Sequence, residues 1–483
     1  MKVSVILAFC LYIAILLTIG FGSRKKNQTS KDFILGSRKM GFWLTALAAH
    51  ASDMSSWIFM AYPAVIFSIG LSQAWAAVGL TLFMFLNWQF VAPKLRTMTE
   101  SYESLTLSSF FESRFSDTSG TIRIVTVIAS MIFYTIYISS GLVGLGLLTE
   151  TLFGFSYITG ITLGMFVIIP YLFIGGYITL AWADFFQGLF LMCVIVFVPL
   201  YTLSHLGGIE AISTAISHKP HFQSFIPEKS WSAFISLAFL MCGWGLGYFG
   251  QPHIITKFMG IKNVKEIPKS KWVGISWQII SLAAATFVGV VAVAFYANTP
   301  LNDEQLLFIN IALTLFPPFI ATFILCAVLG ATITCMDSQI LVLASNLTED
   351  FYKRLLRKNA SSKELLIVSR ISIFIVAIIS YSIACTTSSN IFTLVSYAWF
   401  GLGASFGPLV IFSLYSKRTT RIGAWGGLIS GMLIALIWPL INKTFAFEIP
   451  SIIPGFLISS FTIWALSSIT QYKNDQNVVG YTK

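Results

Sequence analysis

Apolar runs, each about the length of a membrane crossing, dominate the chain and are separated by short polar stretches. Thirteen stand out: residues 3–22, 41–70, 72–92, 121–147, 155–177, 183–203, 231–249, 272–296, 315–345, 365–385, 389–415, 422–441 and 449–470. A helix takes about 20 predominantly apolar residues to cross a bilayer, so the pattern predicts an all-α integral membrane protein. No soluble domain of real size fits between the runs, and residues 1–483 read as one transmembrane domain. The first run is too long for a removed signal peptide and lacks its basic start and small-residue cleavage site. It reads as a retained helix.

Composition agrees. The chain is 56% hydrophobic and only 10% charged, with mean hydropathy +0.81; a soluble protein carries about 25% charged residues. The net charge of +11 alone would suit a nucleic-acid binder. Its distribution argues otherwise. With the N-terminus outside and thirteen alternating helices, every basic residue except Lys2, Lys219, Lys229 and Lys443 falls in an inside loop or the inside tail. Those inside include Arg38, Lys94, Arg96, Lys257, Lys353 and Arg421. The positive-inside rule predicts this asymmetry, so the charge requires membrane lipid and no nucleic acid. The six cysteines are scattered without a CxxC pair, giving metal or redox chemistry little support. Nor is there a Gly-rich phosphate loop, a nucleophile elbow or an evident obligate protein partner, so the chain reads as no enzyme. Transport, conduction and sensing remain.

Four polar clusters interrupt the apolar runs. In "HASDMSSW", residues 50–57, Asp53 and the serines compete with helix hydrogen bonds, and local unwinding there frees carbonyls at Ala51 and Met54. Interrupted helices near the midplane are where transporters bind ions and substrate, and hard cations take oxygen ligands. A kinked helix with satisfied side chains is the plainer alternative. In "AVLGATITCMDSQILV", residues 327–342, Ala331, Thr334, Cys335 and Ser338 share one helical face, with Asp337 on its shoulder. Such a face also suits plain helix packing, which needs no carboxylate. In "GGYITLAWADFFQG", Gly175 and Gly176 end one helix and Asp184 opens the next, as a cap or as an ion relay. In "MCGWGLGYFGQPH", Trp244 and Tyr248 face one side, Gly243, Gly245, Gly247 and Gly250 clear space around them, and Pro252 ends the helix. That cluster suits a small apolar or cationic guest, or ordinary aromatic packing.

The first, third and fourth of these segments, with "FILGSRKMGFW" before the first and "LTEDFYKRLLRKNASSKEL" and "LVSYAWFGLGASFGPLVIFSLYSKR" near the end, resemble the sodium/solute symporter family, most closely its proline-transporting branch. The resemblance implies a LeuT-type core of two inverted five-helix repeats, 41–203 and 231–415. One extra helix (3–22) would precede them, two (422–470) would follow, and a short cytoplasmic tail (471–483) would end the chain. It implies sodium-coupled import of proline across the plasma membrane by alternating access. It places a sodium site on backbone oxygens of Ala51, Met54 and Ala331 and side chains of Thr334 and Cys335. Asp53 is implied in sodium coupling, a proline pocket falls on Ser55, Trp57, Tyr137, Trp244, Tyr248 and Pro252, and Arg38 matches an inside-facing arginine. Three departures stand out. Cys335 takes the place of a hydroxyl, and a thiol is a poor sodium ligand. Asp337 also replaces a hydroxyl, so that Asp184, Asp337, Thr334 and Ser338 together suit a second cation or a proton. His50 replaces a small residue and is placed to pair with Asp53 or to relay a proton. A symporter for another small amino acid or a monocarboxylate, coupled to sodium or to protons, is the rival reading. A transporter-like sensor is the other, and the short tail offers it no signalling domain.

Overall fold

The computed structural model describes residues 2–22, 34–174, 177–217, 219, 222–226, 230–445 and 448–480. The described residues are almost wholly helical, with a single isolated β-bridge between Met40 and Ile261. In chain order the helices are α1 (Lys2–Gly22), α2 (Phe42–Met54), α3 (Ala61–Ile69), α4 (Ala74–Leu86), α5 (Ala92–Ser101), α6 (Leu107–Arg114), α7 (Thr121–Phe153), α8 (Tyr157–Ile174), α9 (Tyr177–His205) and α10 (Ile209–Ser217). They continue as α11 (Trp231–Leu246), α12 (Pro252–Met259), α13 (Ile267–Phe295), α14 (Leu307–Leu315), α15 (Pro318–Ser345), α16 (Ser362–Thr386), α17 (Ile391–Tyr415), α18 (Arg421–Asn442) and α19 (Ile452–Gly480).

Among the described residues, ten helical segments are long and apolar enough to cross a membrane. They coincide with the third, fourth and sixth to thirteenth apolar runs. The other three runs hold shorter apolar helices, Val3–Ile19, Ser56–Ile69 and Tyr157–Ile169. Where an end is legible, local chemistry sets it. Ser230, Ser361, Asn390 and Thr420 each accept the N–H of the residue three along, satisfying donors that a helix start leaves orphaned. Pro318 opens α15, where its missing N–H costs nothing. Apolarity marks helix ends less well. The run 72–92 continues through a π-turn, Asn87–Val91, into the polar helix α5. The run 315–345 continues as π-helix Asn346–Leu356.

Two membrane segments are broken in corresponding ways. α2 stops at Met54, Ser55 turns to φ +43° and ψ −164°, and a 3₁₀ turn over Ser56–Ile58 leads to α3. α11 stops at Leu246, a 3₁₀ turn covers Gly247–Gly250, Gln251 is extended, and Pro252 starts α12. Pro252 therefore opens a half-helix and does not close one, again because the first helical position needs no N–H. The start of α2 and the end of α12 are tied together. Met40 N–H donates to Gly260 O at 3.2 Å and Lys262 N–H to Met40 O at 2.8 Å. Arg38 adds bonds to the carbonyls of Met259, Thr99 and Ser104 at 2.6, 2.9 and 2.9 Å. A guanidinium presents five donors in a fixed fork, which suits carbonyls converging from two helix ends.

α15 runs through the middle, buried along nearly all of Ala321–Ser345, and packs on α2, α7, α9 and α16. Small residues let the broken segment approach its neighbours. A Cβ at Gly188 on α9 would stand 2.9 Å from Ala51 Cβ, and one at Gly144 on α7 would stand 2.6 Å from Ser56 Oγ. The periphery exposes Trp231, Phe166, Leu440 and Leu457. Such an apolar surface is a liability in water and the natural face toward lipid.

The left-handed backbone at Ser55 generates a prediction. Such a conformation costs a non-glycine residue on the order of 1–3 kcal/mol, most for a β-branched one. Ser55→Val is expected to lower stability by about 2 kcal/mol more than Ser55→Gly, read by thermal unfolding of the purified protein in detergent. Equal losses would show that the break carries no strain.

Candidate functional site

The break in α2 lies against α15. Thr334 Oγ1 donates to Ala51 O at 3.2 Å and also lies 2.9 Å from Ala331 O. Among the described residues no backbone N–H from Ser55 closes the last turn of α2, so the Ala51 carbonyl meets a side chain of another helix. Three oxygens expected to meet, those of Ala51, Ala331 and Thr334, are thus together in a fully buried place. Met54 is buried at the last position of α2. Cys335 is buried beside this group, and its Sγ lies 3.1 Å from Gln339 Nε2.

Asp53 is held across the two breaks. Tyr248, on the 3₁₀ turn after α11, donates its hydroxyl hydrogen to the Asp53 carboxylate. Gln278 on α13 donates to the Tyr248 oxygen at 2.9 Å. Above them lies an aromatic layer. Trp57 stacks on Tyr62 at 4.9 Å and leans on Trp244 at 5.1 Å. Trp244 meets Phe392 at 5.4 Å, and Tyr248 stands edge-on to Trp399 at 5.1 Å. Aromatic pairs of this kind add about 0.5–1.5 kcal/mol each beyond area burial. One cavity, of about 480 Å³, is lined by Ala61, Ser68, Asp303, Glu304 and Phe392. Another, narrow and of about 20 Å³, runs between Pro252, His253, Lys257, Ser338 and Asn346, room for roughly one water. Tyr137 is buried against His253, ring centres 6.0 Å apart, and Ser55 Oγ accepts the Trp57 N–H at 3.2 Å. The expected pocket residues therefore surround the two breaks, with Pro252 lining the narrow cavity.

Several readings change. His50 does not pair with Asp53. Its Nε2 accepts from Trp88 Nε1 at 3.1 Å, and Gly274 makes room for the ring: a Cβ there would stand 2.2 Å from Nε2. The glycines around Trp244 do not clear a ligand space. Added Cβ atoms would strike Pro450 at Gly243, Phe83 at Gly245, Trp399 at Gly247 and the α17 backbone at Gly250. They serve close packing of neighbouring helices. Asp184 does not open a helix: α9 starts at Tyr177, and Asp184 is fully buried two turns in. Gly175 and Gly176 lie outside the described residues. Lys257, expected in an inside loop, is 2% exposed on α12 and pairs with Asp184 at 2.9 Å. Treating Pro252 as a helix end hid this; as a helix start, it carries Lys257 into the protein. Asp337 is fully buried beside Asp184, and among the described residues neither of its carboxylate oxygens has a well-formed hydrogen bond. Gln278 and Gln339 join the site as amides inside apolar runs, which is the one mark they carry in the sequence.

Removing one member of a buried ion pair strands the other charge, at a cost of about 3–5 kcal/mol. Lys257→Met is expected to destabilise by that amount. The double variant Lys257→Met/Asp184→Asn is expected to recover most of it, as read by detergent thermal unfolding. Additive losses would mean the pair has no net coupling.

The profile of the sodium:solute symporter family matches residues 33–431. Sodium/proline symporter 2 of Staphylococcus saprophyticus subsp. saprophyticus is 41% identical over 473 residues, covering 95% of this chain and 92% of that protein. A sodium/proline symporter of Staphylococcus aureus is 39% identical over 472 residues, 95% and 91% of the two chains. Among solved structures, a Na+-coupled sialic acid symporter in a substrate-bound outward-open state superposes with TM-score 0.81 at 19% identity, over 96% of this chain and 98% of that one. MhsT in complex with L-phenylalanine gives 0.55 at 15% identity, over 88% and 98%. The fold is thus that of LeuT-like transporters. With relatives along nearly its whole length and two broken helices meeting at its centre, the chain belongs to the sodium:solute symporter family, a multi-pass membrane transporter and not an enzyme.

Proposed function

We propose that the chain imports L-proline together with sodium by alternating access. The single observation that carries this reading is the contact of Thr334 Oγ1 with the Ala51 carbonyl at the break of α2. It brings oxygens from two helices to one buried point, as a hard cation requires, beside a cluster of aromatic rings. Names of relatives 39–41% identical support proline as the solute. In this reading thirteen helices span the plasma membrane, N-terminus outside and C-terminus inside, and 41–203 and 231–415 form two inverted repeats, each opened by a broken segment.

Sodium sits among the oxygens of Ala51, Met54, Ala331 and Thr334, with Cys335 adding little. Proline binds among Ser55, Trp57, Tyr137, Trp244, Tyr248 and Pro252. The larger cavity by Glu304 is the outer approach and the narrow one by Lys257 the inner exit, still shut by the ties from Arg38 and Met40. Binding both guests favours the same rearrangement more than either does alone, and this linkage is reciprocal. Asp184, Asp337 and Ser338 form a second cation or proton place in which the Lys257 ammonium is already the counter-charge of Asp184.

Proline uptake into right-side-out vesicles, driven separately by a sodium gradient and by a pH gradient, tests the reading. Accumulation on sodium alone is expected, and accumulation on the pH gradient alone would overturn sodium coupling. Asp337→Ser is expected to change the dependence on pH or the ion stoichiometry. An unchanged stoichiometry and pH profile would remove the second place. At the first site, Thr334→Ala is expected to raise the sodium concentration for half-maximal uptake about tenfold or more, the loss of roughly one charge-assisted contact. Cys335→Ser is expected to lower it. No change in either variant would place the ion elsewhere.

A further inference from the structure

Asp53 is a carboxylate inside a membrane protein, and its surroundings specify what it lacks. Among the described residues, its only hydrogen bond comes from Tyr248. The direction of that bond is set from behind. Gln278 Nε2 donates to the Tyr248 oxygen at 2.9 Å, so the phenol proton is left to point at Asp53, and Asp53 must accept. Accepting that bond uses one carboxylate oxygen and leaves the other to face a further donor. Yet among the described residues no lysine or arginine pairs with it, in contrast to Asp184. An unpaired buried charge is costly. Asp53 also keeps 7% exposure while its neighbours His50, Ser52 and Ala51 keep 0, 0 and 1%, so it borders an opening that they do not.

A complementary feature stands beyond the break. Trp57 is 4% exposed, and its indole N–H is buried with no hydrogen-bond partner. Its ring is held between Tyr62 and Trp244, so it has little freedom to find one. The break at Ser55 thus separates an acceptor without a cation from a donor without an acceptor.

We infer that Asp53 is a specificity-determining residue that receives the positively charged nitrogen of a zwitterionic α-amino or α-imino acid, with the Trp57 indole N–H facing the substrate carboxylate. This rests on the reading of the chain as a proline importer and deepens it. It makes the site one for a zwitterion and rejects simple monocarboxylates. Such discrimination is strong when a site's buried polar group is left unpaired by the wrong ligand.

Tetrahydrofuran-2-carboxylate keeps the ring and carboxylate of proline and replaces the charged nitrogen by an ether oxygen. Competition with radiolabelled proline, on purified protein in proteoliposomes at saturating sodium, gives the ratio of the two affinities. The wild type is expected to favour proline by about 100-fold or more. In Asp53→Asn the ratio is expected to fall below tenfold, through loss of proline affinity alone, and Asp53→Glu is expected to restore a ratio above tenfold. An analogue that competes within threefold of proline on the wild type overturns the inference without any variant. A ratio that survives in Asp53→Asn, with the sodium requirement raised instead, also overturns it and assigns Asp53 to the ion. If the wild type binds no proline at all while binding another solute, the proline reading itself is what has failed.

Discussion

A backbone carbonyl released from a helix inside hydrocarbon has no water to turn to, and every such group must be satisfied from within. That constraint organises this protein. The interruption at Ser55 frees oxygens at the end of α2, and Thr334 on α15 reaches one of them. The reach is possible because α9 carries glycine where Ala51 presses against it, and α7 carries glycine opposite Ser56. The second interruption, before Pro252, brings Tyr248 onto Asp53. Each break completes the other, and the space between them belongs to both halves of the molecule.

Buried charge follows the same economy of partners. Asp184 has Lys257 at 2.9 Å. Asp350, in the π-helix after α15, has Arg123 at 3.0 Å and Thr106 at 2.9 Å. Asp53 has a phenol and no cation. Asp184 and Asp350 are thus paired with cations, whereas Asp53 and Asp337, among the described residues, are not. Ala51 and Asp53 lie in the same last turn of one half-helix.

The apolar runs, the polar interruption at 50–57 and the small-residue face at 331–338 were all legible from residue types. Each depends on local spacing: how long a run is, and which residues fall on one side of a helix. Relations set by a second element were not legible. His50 looked like a partner for Asp53 because the two lie about one turn apart, but Trp88 on another segment claims its ring nitrogen. The glycines near Trp244 looked like cleared space because the helices that fill it are more than 150 residues away in the chain for both Trp399 and Gly403, or belong to an earlier span, as Phe83 does. Lys257 looked solvated because Pro252 was read as a stop.

Sequence alone determined that the chain lives in a membrane, where its long apolar segments lie and where one of them is broken, because hydrophobicity and backbone propensity act through near neighbours. Tertiary structure alone decided which buried polar groups have partners. Lys257 meets Asp184, Tyr248 meets Asp53 and Thr334 meets Ala51 only after helices distant in sequence are packed together, and in a low-dielectric interior that pairing is what separates a structural charge from a binding one.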